Sequence, residues 1–119
     1  MIMAVWKGKA ISVNDWHVVR KGRIYPSKEY EGFINSIAWA IKAECRQSFG
    51  HINILVASSL GKSFDHHNLS KAICDALERA DVVENDRNIG IVTLWPPERH
   101  KRGAIDEIRI FIMKQETSP

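Results

Sequence analysis

Apolar residues recur at steps of three and four in two segments, which is the spacing of an amphipathic helix. The first segment follows Ser27, a natural N-cap, and Gly50 is its expected terminator. The second covers about residues 68–80, where a polar edge able to face a cleft runs beside the apolar stripe. The two apolar stripes comprise Tyr30, Phe33, Ile34, Ile37, Ala38 and Ile41, then Leu69, Ala72, Ile73, Ala76, Leu77 and Ala80, and the polar edge is Asn68, Lys71, Asp75 and Arg79.

Strand-like patterns occupy the rest of the chain. Residues 1–11 and 89–95 have strand composition, and Ile108, Ile110 and Ile112 alternate with other side chains within residues 105–113. Residues 52–57 form a short β-branched run that is expected to end in a loop at Ser58. Residues 14–26 are predicted to be a polar basic loop, and residues 96–103 a hairpin-like connection.

The resulting order is strand, helix, strand, helix, strand, strand. It predicts an α/β (α+β) fold in which helices pack on a single mixed sheet. The 119 residues, 45% of them hydrophobic, suit one domain spanning residues 1–119, with a flexible tail at 115–119. No apolar run approaches the roughly 20 residues that a membrane helix needs, so we expect a soluble, cytoplasmic protein. Cys45 and Cys74 are too few for a disulfide framework and are interpreted as small buried hydrophobes.

The net charge of +3 is unevenly distributed. Residues 1–59 contain eight basic and four acidic side chains, whereas residues 60–119 contain nine basic and ten acidic ones. Such a distribution suits an enzyme that attracts phosphates and holds cations locally, although a solvated surface with scattered charge is the simpler alternative. The acidic cluster consists of Asp65, Asp75, Glu78, Asp81, Glu84 and Asp86.

The segment from Asp65 to Lys71 holds the residue types of phosphodiester hydrolysis. If residues 63–67 are extended, Asp65 and His67 project to the same side and can contact one ion. Phosphate is favoured at the start of the following helix, and Asp86 can return beside Asp65 after the helix. Hard oxygen ligands hold Mg²⁺, and a lysine stabilises developing negative charge. Individually, these residues are equally well explained as a helix cap, a surface ion pair and a turn residue.

Two further interpretations concern the adjacent histidines and the tryptophans of the chain. His66 and His67 invite a zinc interpretation, but adjacent side chains alternate in direction and no Cys or third His follows at ligand spacing. Trp16 lies within the basic segment and is therefore the tryptophan with the strongest functional interpretation, as a surface for DNA bases. The other three tryptophans are more typical of core or dimer contacts.

A longer motif runs through this segment and the second helix: Asp65-x-x-Asn68-x-x-Lys71-x-x-x-Asp75-Ala76-Leu77, with Asp86 downstream. This combined pattern resembles the RusA family of Holliday junction resolvases. The similarity spans nearly the whole chain. A basic segment with Arg20, Lys21 and Arg23 leads into the first helix, and the final two strands fall where the family has them. The similarity implies a small α/β homodimer that binds four-way DNA junctions and makes paired symmetrical nicks with Mg²⁺ or Mn²⁺, in a phage or prophage setting.

The resemblance implies that Asp65 and Asp86 are metal-binding carboxylates and that Lys71 is catalytic, while Asn68 and Asp75 shape the site. His67 departs from the family pattern, in which a second aspartate stands at this position. A neutral imidazole adds no negative charge, so it weakens Mg²⁺ binding and shifts the preference towards Mn²⁺.

Three hypotheses follow from these residues. The first is a structure-selective endonuclease with His67 assisting the metal, and the second is a junction-binding protein whose cleavage is lost through His67. The third is a small structural protein whose acidic cluster is only solvated. In the first two, DNA is steered by phosphate contacts from Arg20, Lys21, Arg23, Arg99, Lys101 and Arg102.

Overall fold

A mixed sheet with both helices on one face forms the body of the protein. The computed structural model describes residues 1–11, 15–61, 66–100 and 104–115, with the side chains of His66 and His100 also outside the description. Its elements are β1 (Ile2–Gly8), β2 (His17–Arg20), β3 (Arg23–Pro26), α1 (Lys28–Glu44), β4 (Ile52–Gly61), α2 (Leu69–Arg79), β5 (Ile89–Leu94), β6 (Glu98–His100) and β7 (Asp106–Lys114). The predicted fold class is confirmed.

The sheet has the order β1-β7-β4-β5, and β6 also pairs with β4. β7 runs antiparallel to both β1 and β4, whereas β5 and β6 run parallel to β4. The predicted hairpin-like connection at residues 96–103 is therefore wrong in its described part. After Pro96 and Pro97 the chain continues in the same direction and pairs with the next stretch of the same edge of β4, where Ser59 opposes Glu98.

Strand β4 is longer than its sequence pattern predicts. The loop expected at Ser58 is instead strand through Gly61, because Ser58 and Ser59 oppose Ile108 and Glu107 of β7. Leu60 is fully buried. Beyond it, the Gly61 N–H donates to Asp106 Oδ1 at 3.0 Å, and the Ala10 N–H donates to Asp106 Oδ2 at 2.7 Å. One buried carboxylate thus ties the end of β4 to the segment that follows β1.

The core lies between the sheet and the two helices. Alternate residues of three strands point into it, including Ala4 and Trp6, Ile52 and Ile54, and the predicted set of Ile108, Ile110 and Ile112. Trp6 packs edge-on against Phe33 of α1 at 5.2 Å between ring centroids, and its indole N–H donates to Ser36 Oγ at 2.9 Å. This contact fixes α1 across β1.

The two helices begin where the sequence predicts, but α1 ends earlier. The Ser27 hydroxyl accepts from the Tyr30 N–H at 3.0 Å, which confirms the predicted cap. Gly50 does not terminate α1. The helix ends at Glu44 because Cys45 adopts an extended conformation with φ −135°, while its N–H closes the last turn on the Ile41 carbonyl. Helix α2 falls within one residue of its predicted limits at each end.

Residues 17–26 form a β-hairpin rather than the predicted loop. Val18 opposes Tyr25 and Val19 opposes Ile24, and all eight strand residues are exposed. The turn places Lys21 at φ 50° and Gly22 at φ 74°, the positive angles of a type I′ turn, whose twist matches paired strands. Lysine is an unusual residue at the first of these positions, so Lys21-Gly22 lacks the Asn-Gly or Asp-Gly pattern that marks such a turn. Within the described residues, neither helix combines the length and apolar character needed to cross a bilayer.

Candidate active site

A cleft of about 560 Å³ opens beside the polar edge of α2. Helix α2 and the turn before it supply most of its wall, the loop after α2 supplies Asp86, and the base of the hairpin supplies the remainder. The cleft therefore joins three segments that are distant in sequence. Its lining residues are Trp16, His17, His67, Asn68, Ser70, Lys71, Cys74, Asp75 and Asp86.

Helical spacing places the polar side chains of α2 along the cleft. Lys71 and Asp75 are one turn apart, with 3.6 Å between Lys71 Nζ and Asp75 Oδ2. Both side chains remain accessible, at 60% and 31% exposure, so the lysine can also meet a ligand. Arg79 continues the same edge but turns to α1, where its guanidinium contacts Glu31 at 2.7 Å and Asn35 at 3.0 Å. Arg79 therefore lies outside the cleft lining.

A tight helix ending returns the chain to the cleft after α2. Asp81 has φ 60°, its N–H donates to the Glu78 carbonyl at 3.1 Å, and the Val82 N–H donates to the Leu77 carbonyl at 3.0 Å. This is a Schellman motif, and it turns the chain so that Val82 is buried. A short 3₁₀ turn, Asp86–Asn88, follows. The Asn85 side chain caps this turn by accepting from the Arg87 N–H at 3.1 Å, so Asn85 is a structural residue beside Asp86.

Tyr30 holds Asp75 from behind the cleft. Its hydroxyl donates to Asp75 Oδ2 at 2.5 Å, which is the same oxygen that faces Lys71. Burial raises the pKa of Tyr30 well above its ordinary range, and the hydrogen bond and negative charge of Asp75 raise it further, so the phenol remains a donor. The sequence analysis assigned Tyr30 only to the apolar stripe, because nothing local links residues 45 positions apart.

The pKa of the Cys74 thiol reflects the negative electrostatic potential inside the cleft. Burial, followed by the charges of Asp86 and Asp75, raises the pKa of its thiol to about 11. The charges of both carboxylates therefore raise the pKa of the same thiol on α2. Cys74 is only half-buried and lines the cleft, whereas Cys45 is buried as predicted. A neutral thiol is a poor nucleophile and a poor metal ligand, so Cys74 is not expected to take either role.

His17 and Trp16 complete the wall on the hairpin side. The Trp16 side chain is buried, its indole N–H donates to the Ile11 carbonyl at 2.8 Å, and its ring packs on Tyr30 at 4.6 Å. Trp16 is therefore a core residue at the floor of the cleft, and not the exposed surface for DNA bases that its basic neighbours suggested. His17, which the sequence analysis did not single out, stacks on Tyr30 with 22° between the ring planes.

The structure brings five of the predicted site residues together: His67, Asn68, Lys71, Asp75 and Asp86 all line the cleft. Asp65, Lys101 and Arg102 lie outside the described residues. Arg20 and Lys21 line a separate groove on the hairpin, with Tyr25 and Lys28, and Arg23 is exposed opposite Arg20. Arg99 lies on β6, where its guanidinium donates to the Gly61 carbonyl at 2.8 Å.

The described part of the cleft falls short of a full metal site. Across residues 1–11, 15–61, 66–100 and 104–115, no group of three His, Cys, Asp or Glu side chains is arranged to hold an ion. Asp75 and Asp86 provide carboxylate oxygens, the donor type that Mg²⁺ prefers. The predicted ligand Asp65 is not among the residues that the structure describes.

Searches against protein-family models and against curated proteins found no match to this chain. The residues of the cleft are therefore the basis for assigning a function.

Proposed function

We propose that this protein is a structure-selective DNA endonuclease that resolves four-way junctions by metal-dependent phosphodiester hydrolysis, as its resemblance to the RusA family implies. The observation that carries the proposal is that Lys71 and Asp75 of α2 line one cleft together with Asp86, which lies in the short 3₁₀ turn after the helix. A lysine beside carboxylates suits the hydrolysis of a phosphodiester, because carboxylate oxygens can hold a metal ion and the ammonium group can stabilise developing negative charge.

Each residue of the cleft has a distinct part in the proposal. Asp65 and Asp86 would hold Mg²⁺ or Mn²⁺, with His67 assisting, and the bound ion supplies charge neutralisation and an activated water. The Lys71 ammonium group donates to the oxygen on which negative charge develops. Asp75 orients Lys71 through their 3.6 Å contact, and Asn68 lies at the start of α2 beside the expected position of the phosphate. The basic hairpin residues hold the DNA arms through phosphate contacts.

The proposed active unit is a homodimer, because two symmetrical nicks need two equivalent sites. The sheet face opposite the helices supplies an apolar surface on which a second copy can pack. Register places Met3, Phe111 and Leu55 in one row across this face, and Met3 is exposed, as is Ile91 on β5. Light scattering of the purified chain tests the dimer, for which we expect twice the monomer mass.

The test of the nuclease is a synthetic four-way junction incubated with Mg²⁺ or Mn²⁺. We expect paired nicks from the native protein and none from Asp65→Asn or Asp86→Asn. Asp81→Asn is the matched control, because it removes the same charge outside the cleft lining and asparagine tolerates the positive φ at this position. Unchanged cleavage by both Asp65→Asn and Asp86→Asn would refute the proposal.

A junction-binding protein without cleavage is the second candidate. It is favoured by His67, which lines the cleft in the place of an acid. This candidate predicts salt-dependent binding of the junction without nicking. His67→Asp separates the two: a large gain in Mg²⁺-supported nicking would identify an impaired native site, whereas loss of native cleavage in His67→Ala would identify the histidine as a working ligand.

A further inference from the structure

The β2–β3 hairpin exposes an apolar pair that the fold does not use. Val19 and Ile24 oppose each other across the two strands, and each side chain is 70% exposed. Paired β-branched residues usually stabilise a sheet by packing on a neighbouring layer. The exposure of this pair therefore indicates a surface that is available to a partner.

The position of the pair connects it with the cleft. Side chains alternate along a strand, so Val19 lies on the same face of the hairpin as His17, two residues earlier. His17 lines the cleft. Val19 and Ile24 therefore extend the cleft wall towards the hairpin tip, while Arg20 and Arg23 project from the opposite face.

The charges around the pair favour a polyanion over a second copy of the chain. Arg20 and Arg23 form the next cross-strand pair, and Lys21 occupies the turn. Arg20 and Arg23 project from the opposite face, but each strand has only four residues, so a two-fold contact through the apolar pair would still crowd the cations of two copies into a small volume, which is unfavourable. The backbone of Lys21 also favours a polyanion as the partner. Its positive φ would be less strained with asparagine or glycine, yet a cation occupies this position.

We propose that Val19 and Ile24 contact the open faces of base pairs at the branch point of a DNA junction and thereby give preference for branched over linear duplex DNA. In a linear duplex each base pair is covered by its neighbours, whereas a branch point interrupts the stack. Apolar side chains insert into DNA at such interruptions, and the cost of unstacking is smallest where stacking is already broken. The inference rests on the DNA-binding part of the proposed function and does not require cleavage.

The experiment compares the affinities of the full-length chain for a four-way junction and for a linear duplex of the same arm sequence, in buffer containing EDTA. For the double variant Val19→Ser/Ile24→Ser we expect junction affinity to fall about 10-fold or more and duplex affinity to remain within about 3-fold. Ile105→Ser is the matched control, an isoleucine of 69% exposure just before β7, and should change neither affinity. Arg20→Gln/Arg23→Gln should weaken both complexes.

Three results would overturn the inference: an unchanged junction preference in the double variant, an equal loss of affinity for both DNAs, or conversion of a native dimer to a monomer. The last would identify the pair as a contact between copies. Because metal is absent, native protein that prefers junctions but fails to cut them when Mg²⁺ or Mn²⁺ is restored would refute the nuclease and leave this inference standing. Circular dichroism melts of each variant establish that it is folded.

Discussion

Helix α2 and the β2–β3 hairpin both contribute to the cleft, but they are stabilised in different ways. The apolar stripe of α2 is buried from Leu69 to Leu77, and its polar edge is held by Tyr30 and by the returning loop that carries Asp86. The hairpin has its own ladder and turn, while all eight of its strand residues are exposed. Rigid side chains suit chemistry that depends on position, whereas exposed ones suit contact with a large partner.

Truncation of one apolar residue in each region is the most direct test of this contrast. Leu77 is fully buried in α2, so Leu77→Ala should lower the free energy of unfolding by about 2–5 kcal/mol. Ile24→Ala in the hairpin should change it by no more than about 0.5 kcal/mol. Urea unfolding of both variants measures the difference, and equal losses would show that the hairpin is part of the cooperative core.

The polar edge of α2 should matter for cleavage more than for folding. Lys71→Met removes the proposed donor to the reacting phosphate and should reduce the cleavage rate about 10²–10³-fold. Its contact with Asp75 is largely exposed, so the melting temperature should hardly change. Single-turnover cleavage of a bound junction measures the rate. A variant that cuts normally would remove Lys71 from the mechanism.

Tyr30→Phe tests whether α1 braces the cleft. The substitution keeps the ring that packs on Trp16 but removes the donor to Asp75 Oδ2. Loss of a hydrogen bond to a charged group should cost about 1–3 kcal/mol of stability, and cleavage should fall because Asp75 no longer fixes Lys71. The matched control is Tyr25→Phe, whose hydroxyl is on the exposed hairpin. Equal effects of the two substitutions would argue against a role for the hydrogen bond between Tyr30 and Asp75.

The pH dependence of Cys74 measures the negative potential in the cleft. Burial raises its pKa to about 11, with added effects from Asp86 and Asp75, so its reaction with iodoacetamide should be slow at pH 8. The rate should rise about tenfold per pH unit as the thiolate forms. Asp86→Asn removes a nearby anion, lowers the pKa and should accelerate the reaction at fixed pH. No acceleration would place Asp86 too far away to act on the cleft.

The smallest expected effect concerns the hairpin turn. Lys21→Asn relieves the positive φ and should raise stability by up to about 1 kcal/mol, while it removes one cation from the tip. We expect a slightly higher melting temperature together with weaker DNA binding. A lower melting temperature would show that the lysine side chain has a stabilising role in this turn.

The sequence was most informative where burial imposes a period. The stripes of both helices and the alternation in β7 are visible because each faces the core on one side. The sequence pattern did not predict the hairpin, because its residues are exposed on both faces and therefore show no alternation. It also did not predict strand at residues 58–61, where loop-like residues become a strand by pairing with β7 and β6. Helix spacing placed Asn68, Lys71 and Asp75 along one edge, but the contact between Asp75 and Tyr30 depends on how two helices pack.

Asp106 gives the two segments that lead to the site a common anchorage. Its two carboxylate oxygens bind the Ala10 N–H, on the way to the hairpin, and the Gly61 N–H, on the way to α2. Both segments thus leave the sheet from one fixed place. Residues inserted beyond either anchor would therefore lengthen the chain towards the hairpin or towards α2 without displacing the end of β4 or the residues that follow β1.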